Sequence, residues 1–243
     1  MRNIKLTLEY DGSDFFGWQR QAEGRTVQGV LENALKNLLQ ESPKTYASGR
    51  TDSGVHAVAQ VVNFKTDSQL SHEKIRLGLN RYLPADVRVL HVAQVADEFH
   101  ARFSALKRIY EYHIAKMPLA INRHYAWFCG FRLDEKKLMD GTQYIIGRHC
   151  FEAFSKVNPK EKHYLCDVEY ANWYENEHQL VFEICANRFL HRMVRIIVGT
   201  LVEVGRGNLA PVAVKKIIES KNRNLAGASV PAKGLFLKQV IYE

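Results

Sequence analysis

Apolar and polar residues alternate at the start of the chain. In "NIKLTLEYDG", Ile4, Leu6 and Leu8 fall on one side and Lys5, Thr7 and Glu9 on the other, and Asp11-Gly12 closes the run with a turn signal. The period changes after Thr26, whose hydroxyl suits a helix N-cap. Val27, Val30, Leu31, Ala34, Leu35, Leu38 and Leu39 recur at helical spacing until Pro43 follows. "AVAQVVNFKT" and "VRVLHVAQVA" read as further strands, with a helix over "SHEKIRLGLNRYL" between them. The order strand, helix, strand, helix, strand predicts an antiparallel sheet backed by helices, an α+β layer.

"ALKRIYEYHIAK", residues 105–116, alternates again and starts a second round of strand and helix signals that lasts to residue 243. No sequence repeat accompanies it, but the order of elements repeats. The expected organisation is therefore two α+β halves, 1–104 and 105–243, without a linker or low-complexity segment, and a groove between halves is the default place for a site.

One segment of the second half carries an unusual charge pattern. Wound at about 100° per residue, "NRFLHRMVRIIVGTLVEVGRG" (187–207) gathers Phe189, Met193, Ile196, Ile197, Leu201 and Val204 on one side. Arg188, His191, Arg192, Arg195, Gly199 and Arg206 fall away from them within a sector of roughly 100°, shared with Val202 and edged by Glu203. A solvated polar face would account for this. Arginine without lysine also suits phosphate or a buried carboxylate, and a mid-helix glycine costs about 1 kcal/mol unless something approaches closely.

Composition narrows the class. With 46% hydrophobic and 25% charged residues the chain is a packed globular protein. The 34 Lys and Arg against 26 Asp and Glu leave +8, which favours an anionic partner such as nucleic acid, or simply keeps the protein soluble. Cys129, Cys150, Cys166 and Cys185 form no C-x-x-C pair, and His163 with Cys166 lacks a second pair to complete a zinc site. Free thiols, an N-terminus without an apolar signal region and the lack of a run near 20 apolar residues predict a cytoplasmic protein with no membrane association.

"GRTDSGVHA" (49–57) holds the most suggestive chemistry: Asp52 with Arg50 two residues before it and His56 four after. Asp, Ser and Gly are also what a plain turn uses. An arginine near the carboxylate would keep it ionised and oriented, fit to act as nucleophile or base, whereas His56 is given no role. The Asp-Ser-Gly of aspartic proteases is contained in the same stretch, but that chemistry needs two such aspartates and the chain has one copy. A P-loop and a G-x-S-x-G motif are both absent.

"YDGSDFFGWQRQ", "GRTDSGVHA", "FSALKRIYEY", "NRFLHRMVRIIVGTLVEVG" and "PAKGLFLKQVIY", in this order and spread over the whole chain, resemble the characteristic blocks of the tRNA pseudouridine synthase A family. Family members usually have Ala where Ser53 stands and often Ala where Val230 stands. The resemblance implies an isomerase that turns uridine into pseudouridine at positions 38, 39 and 40 of the tRNA anticodon stem-loop, without cofactor or metal. It also implies a homodimer of chains with two RRM-like (ferredoxin-like) halves and an active cleft between them. Asp52 matches the essential aspartate, and Tyr110 the tyrosine that packs on the target base. Arg50 matches an arginine associated with base flipping, Arg195 one that pairs with the aspartate, and Leu235 an apolar residue of the uracil pocket. Arg188 and Arg192 are then candidates for tRNA phosphate contacts, as is Arg108, which strand alternation puts on the same side as Tyr110. The lysine-rich "SKVNPKEKHY" (155–164) reads as an exposed loop. An RNA-binding protein without catalysis is the alternative.

Overall fold

The computed structural model describes residues 1–156 and 163–243, so residues 157–162 of the lysine-rich stretch lie outside the described residues. Two compact units account for the chain, 1–106 together with 236–243, and 107–235. The end of the chain, which the pattern of elements assigns to the second half, thus folds with the first unit.

In the first unit the strand β1 (Arg2–Tyr10) is followed by α1 (Val27–Leu39), β2 (Tyr46–Ala47), β3 (His56–Thr66), α2 (His72–Tyr82) and β4 (Val87–Val95). β1 pairs antiparallel with both β3 and β4, and β2 pairs antiparallel with the outer side of β3. The resulting order β4-β1-β3-β2 is that of the ferredoxin-like β-α-β-β-α-β fold, with its second strand reduced to two residues. Alternation explains the core: Ile4, Leu6 and Leu8 face Phe64, Val62 and Gln60 across the ladder, and the apolar members are buried. α1 covers them with Val27, Leu31, Ala34 and Leu35, and α2 with Ile75 and Leu79. Both helices start where capping chemistry places them, with Thr26 and Ser71 accepting the N–H of Gly29 and Lys74.

The second unit contains β5 (Lys107–Ala115), β6 (Trp127–Phe128), α3 (Glu135–Thr142), β7 (Gly147–Cys150), β8 (Leu165–Glu175), β9 (Gln179–Ala186), α4 (Met193–Gly205) and α5 (Ala213–Ser220). Its sheet runs β5-β9-β8-β7, antiparallel throughout, with β6 parallel to the end of β5. The last strand, β10 (Leu235–Ile241), begins in this unit; from Phe236 it belongs to the first, where Phe236 and Leu237 pair in parallel with His56 and Ala57. Both units are therefore α+β, as the periodicity predicts.

The helix expected over 187–207 is shorter and differently exposed. Arg192 has φ 63°, a left-handed conformation that a right-handed helix excludes, so α4 begins at Met193. Arg188, His191 and Arg192 lie on the approach to the helix rather than on its face. α4 itself is buried on nearly all sides, Val198, Gly199 and Val202 included. A Cβ at Gly199 would come within 1.9 Å of the carbonyl oxygen of Ala228. The close approach that this glycine permits is thus by the chain's own backbone. Arg206, just past the helix, lies over the Phe131 ring and donates to Glu203. Of the cationic residues in the predicted stripe, Arg195 alone lies within the helix.

Candidate active-site residues

Asp52 sits in the irregular segment between β2 and β3, half-buried, with Arg50 exposed beside it. The sequence makes this loop rigid through its neighbours. Trp18 N–H donates to the Thr51 carbonyl at 3.1 Å, and Gly54 N–H and the Ser53 hydroxyl both donate to the Phe15 carbonyl, each at 3.2 Å. Phe15 is buried under Arg25, whose guanidinium lies 4.1 Å above the ring and makes a bidentate pair with Asp86 at 2.6 and 2.8 Å. That pair lifts the Arg25 pKa. Gly17, at φ 88°, lies so close under the loop that a Cβ would stand 2.7 Å from the Thr51 oxygen. "YDGSDFFGW" is therefore the cradle of the Asp52 loop, and its two glycines, Gly12 and Gly17, were the sequence signal for it.

The side chains preceding Asp52 are held from below. Tyr10 shares a 2.8 Å hydrogen bond with the Thr51 hydroxyl, and burial pushes its own pKa up to about 12. Gln60 donates to the Gly49 carbonyl at 3.0 Å and to the Tyr10 oxygen at 3.4 Å, and accepts from the Ser48 hydroxyl at 2.6 Å. Ser48 and Gln60 lie outside every block that stands out in the sequence. At the far end of the loop His56, also buried, stacks on Phe236 with ring centroids 4.6 Å apart.

In the second unit Tyr110 and Tyr112 project from the same side of β5 together with Arg108. Tyr110 is buried against the edge of Phe189, centroids 5.0 Å apart at 79°. The Tyr112 hydroxyl donates to the Pro231 carbonyl at 2.8 Å, and burial raises its pKa far above that of a free tyrosine. Next to it, Arg195 Nε donates to the Val230 carbonyl at 2.7 Å while Val230 N–H returns a bond to the Arg195 carbonyl. Segment 230–231 is thus fastened between α4 and β5, and it leads straight into Leu235, which is buried. A Cβ at Gly234 would touch the His113 carbonyl at 2.8 Å and the Tyr112 ring at 2.9 Å, which explains the glycine before Leu235. Because Arg195 reaches Val230 through the backbone, an alanine there would make the same bond. Ser53 adds a hydroxyl contact to the Phe15 carbonyl.

The three arginines proposed for phosphate differ in environment. Arg192 is exposed, Arg188 is half-buried with its guanidinium 3.1–3.2 Å from the His163 ring nitrogens, and Arg108 is buried and donates to the Asn187 carbonyl at 2.8 Å. Among the described residues there is no group of three or more His, Cys, Asp or Glu that could hold a metal ion, and no helix long and apolar enough to cross a membrane.

Comparison with known proteins places the chain in a family. The tRNA pseudouridine synthase family profile matches residues 7–104 and 142–243. Curated relatives match from end to end. The tRNA pseudouridine synthase A of Clostridium acetobutylicum is 41% identical over 244 residues, and that of Caldicellulosiruptor bescii 41% over 245, each pairing covering 100% of both chains. The tRNA pseudouridine synthase A 2 of Clostridium perfringens is 39% identical over 244 residues at the same coverage. On these matches the chain belongs to the tRNA pseudouridine synthase family.

Proposed function

We propose that this protein converts uridine to pseudouridine at positions 38, 39 and 40 of the tRNA anticodon stem-loop, with Asp52 as its essential carboxylate. The observation that carries the reading is the end-to-end relationship to curated tRNA pseudouridine synthases A. The braced loop around Asp52 supports it, because a carboxylate held in place is what the chemistry needs.

The reaction breaks the bond from N1 of uracil to C1′ of the ribose, turns the base, and joins C5 to the same carbon, so that C5 gives up its proton and N1 takes one up. The base first leaves the stack, at a cost of a few kcal/mol that contacts to the extruded base offset. In this reading Tyr110 and Leu235 offer aromatic and apolar surface for uracil, the exposed Arg50 fills the vacancy in the stack, and Arg195 supports the carboxylate. An ionised Asp52 serves each of three routes: attack at C1′, glycal formation with loss of the C2′ proton, and addition to C6. Arg192 and Arg188 contribute to holding the phosphate backbone. The protein acts in the cytoplasm, as a homodimer.

The test is to incubate wild-type and Asp52→Asn protein with unmodified tRNA and map pseudouridine at single-nucleotide resolution. Pseudouridine at 38–40 from wild type alone, with tRNA binding kept in the variant, is the expected result. Binding without pseudouridine from either protein would leave an RNA-binding protein, and turnover by Asp52→Asn would remove Asp52 from its role. Tyr110→Phe, which keeps the ring and loses the hydroxyl, slows turnover more than binding. Light scattering of the purified protein reads the dimer directly.

A further inference from the structure

Gln60 occupies an odd position. It stands opposite Leu8 on the inward side of β3, in the row of Val62 and Phe64, and is fully buried. A valine or leucine would satisfy the strand and the core, so an amide there has to be explained by what it binds. Each of its polar atoms is used. The oxygen accepts from Ser48, one Nε2 hydrogen goes to the Gly49 carbonyl and the other to the Tyr10 oxygen. The same Tyr10 oxygen shares a hydrogen bond with Thr51 Oγ1, 2.8 Å away. Burial keeps the phenol protonated.

Two buried side chains of the sheet thereby grip Ser48, Gly49 and Thr51, the residues on either side of Arg50 and immediately before Asp52. We propose that Gln60 and Tyr10 are positioning residues that set the placement of the Asp52 carboxylate through the backbone of 48–51. This rests on the reading of Asp52 as the reacting carboxylate. A group that must meet one carbon of the substrate tolerates little displacement, and an error near 1 Å costs on the order of 100-fold in rate.

The variants are Gln60→Met, which keeps the volume without the amide, and Tyr10→Phe, which removes one hydroxyl. Thr51→Val and Thr51→Ser accompany them. Steady-state turnover of unmodified tRNA, tRNA binding and thermal melting are measured on each, with Asp52→Asn as control. Gln60→Met, Tyr10→Phe and Thr51→Val are expected to lose about 10- to 100-fold in kcat with KM and tRNA affinity within about twofold of wild type. Thr51→Ser restores kcat, and the Tyr10→Phe/Gln60→Met double variant is less impaired than the product of the two single losses. A network that only stabilised the fold would lower the melting temperature and leave kcat of the folded protein unchanged. That result in Tyr10→Phe or Thr51→Val, with Asp52→Asn inactive, overturns the proposal. Turnover by Asp52→Asn would instead overturn the catalytic reading beneath it.

Discussion

The Nδ1 atom of His56 accepts the backbone N–H of Gly12 at 3.0 Å. The same atom stands 3.1 Å from the Asp11 carboxylate. The imidazole ties the end of β1 to the exit of the Asp52 loop. A His56→Asn variant, whose side-chain oxygen can take the place of Nδ1, is expected to be more stable than His56→Leu by about 1–3 kcal/mol, the cost of leaving a buried N–H unpaired. Urea unfolding of both variants measures it. Equal stabilities would mean that the hydrogen bond contributes nothing.

Gly17 and Gly49 flank the same loop and respond differently to a methyl group. Gly17 has φ 88° and faces the Thr51 carbonyl at 2.7 Å from an added Cβ, whereas a Cβ at Gly49 meets nothing within 4 Å. Gly17→Ala combines the strain of a left-handed alanine, about 1–2 kcal/mol, with a push on the backbone of Thr51 and Asp52. It is expected to lose stability by about 2–4 kcal/mol and kcat by at least about tenfold, while Gly49→Ala stays within about 0.5 kcal/mol of wild type. Melting curves and turnover on the two variants decide this, and a fully active Gly17→Ala would show the loop to be compliant.

The three phosphate candidates separate by burial. Arg192→Ala should weaken tRNA binding uniformly and lower the salt dependence of log Kd against log salt by about one, with stability unchanged, because the side chain is exposed. Arg108→Ala should instead destabilise the fold, since it removes a buried guanidinium bound to the Asn187 carbonyl at 2.8 Å. Filter binding at several salt concentrations, beside thermal melting, reads both. A shallower salt slope for Arg108→Ala with an unaltered melting temperature would put that arginine on the RNA side after all.

Much of the fold was legible because it follows from periodicity. The alternation of Ile4, Leu6 and Leu8 and the helical spacing from Val27 to Leu39 both correspond to single elements with one buried face. The segment 187–192 was not legible, because nothing in "NRFLHR" signals that Arg192 takes a left-handed conformation, and the helical wheel drawn through it spread arginines along a face that does not exist. Gly199, taken as a sign that a ligand approaches the stripe, is instead approached by the Ala228 carbonyl, a neighbour remote in sequence. Asp52 was visible as a candidate in a loop. Its supports, Tyr10 and Gln60, look like ordinary strand residues until the ladder sets Leu8 opposite Gln60 and turns both inward.

Burial of weak acids gives the protein an alkaline limit. Tyr10 is raised from 10.0 to about 12 by burial, and Cys185 from 9.0 to about 11, chiefly by burial with the Glu169 carboxylate adding to it. Both groups therefore favour the folded state in their protonated form. The unfolded chain releases their protons first, so this contribution is complete below about pH 9, declines as pH rises through 9 to 11 for the thiol and through 10 to 12 for the phenol, and is gone above. For Tyr10 alone the two-unit rise corresponds to a few kcal/mol. Urea midpoints should be flat from about pH 7 to 9 and fall steadily above it. In Tyr10→Phe the fall between about pH 10 and 12 should be shallower, although the variant starts from lower stability for want of its Thr51 bond. In Cys185→Ala the early part of the fall, from pH 9 to 11, should flatten instead. If Tyr10→Phe shows the wild-type slope above pH 10, the phenol ionises as readily in the folded protein as in the unfolded chain, and the buried bridge from Tyr10 to Thr51 is not dry.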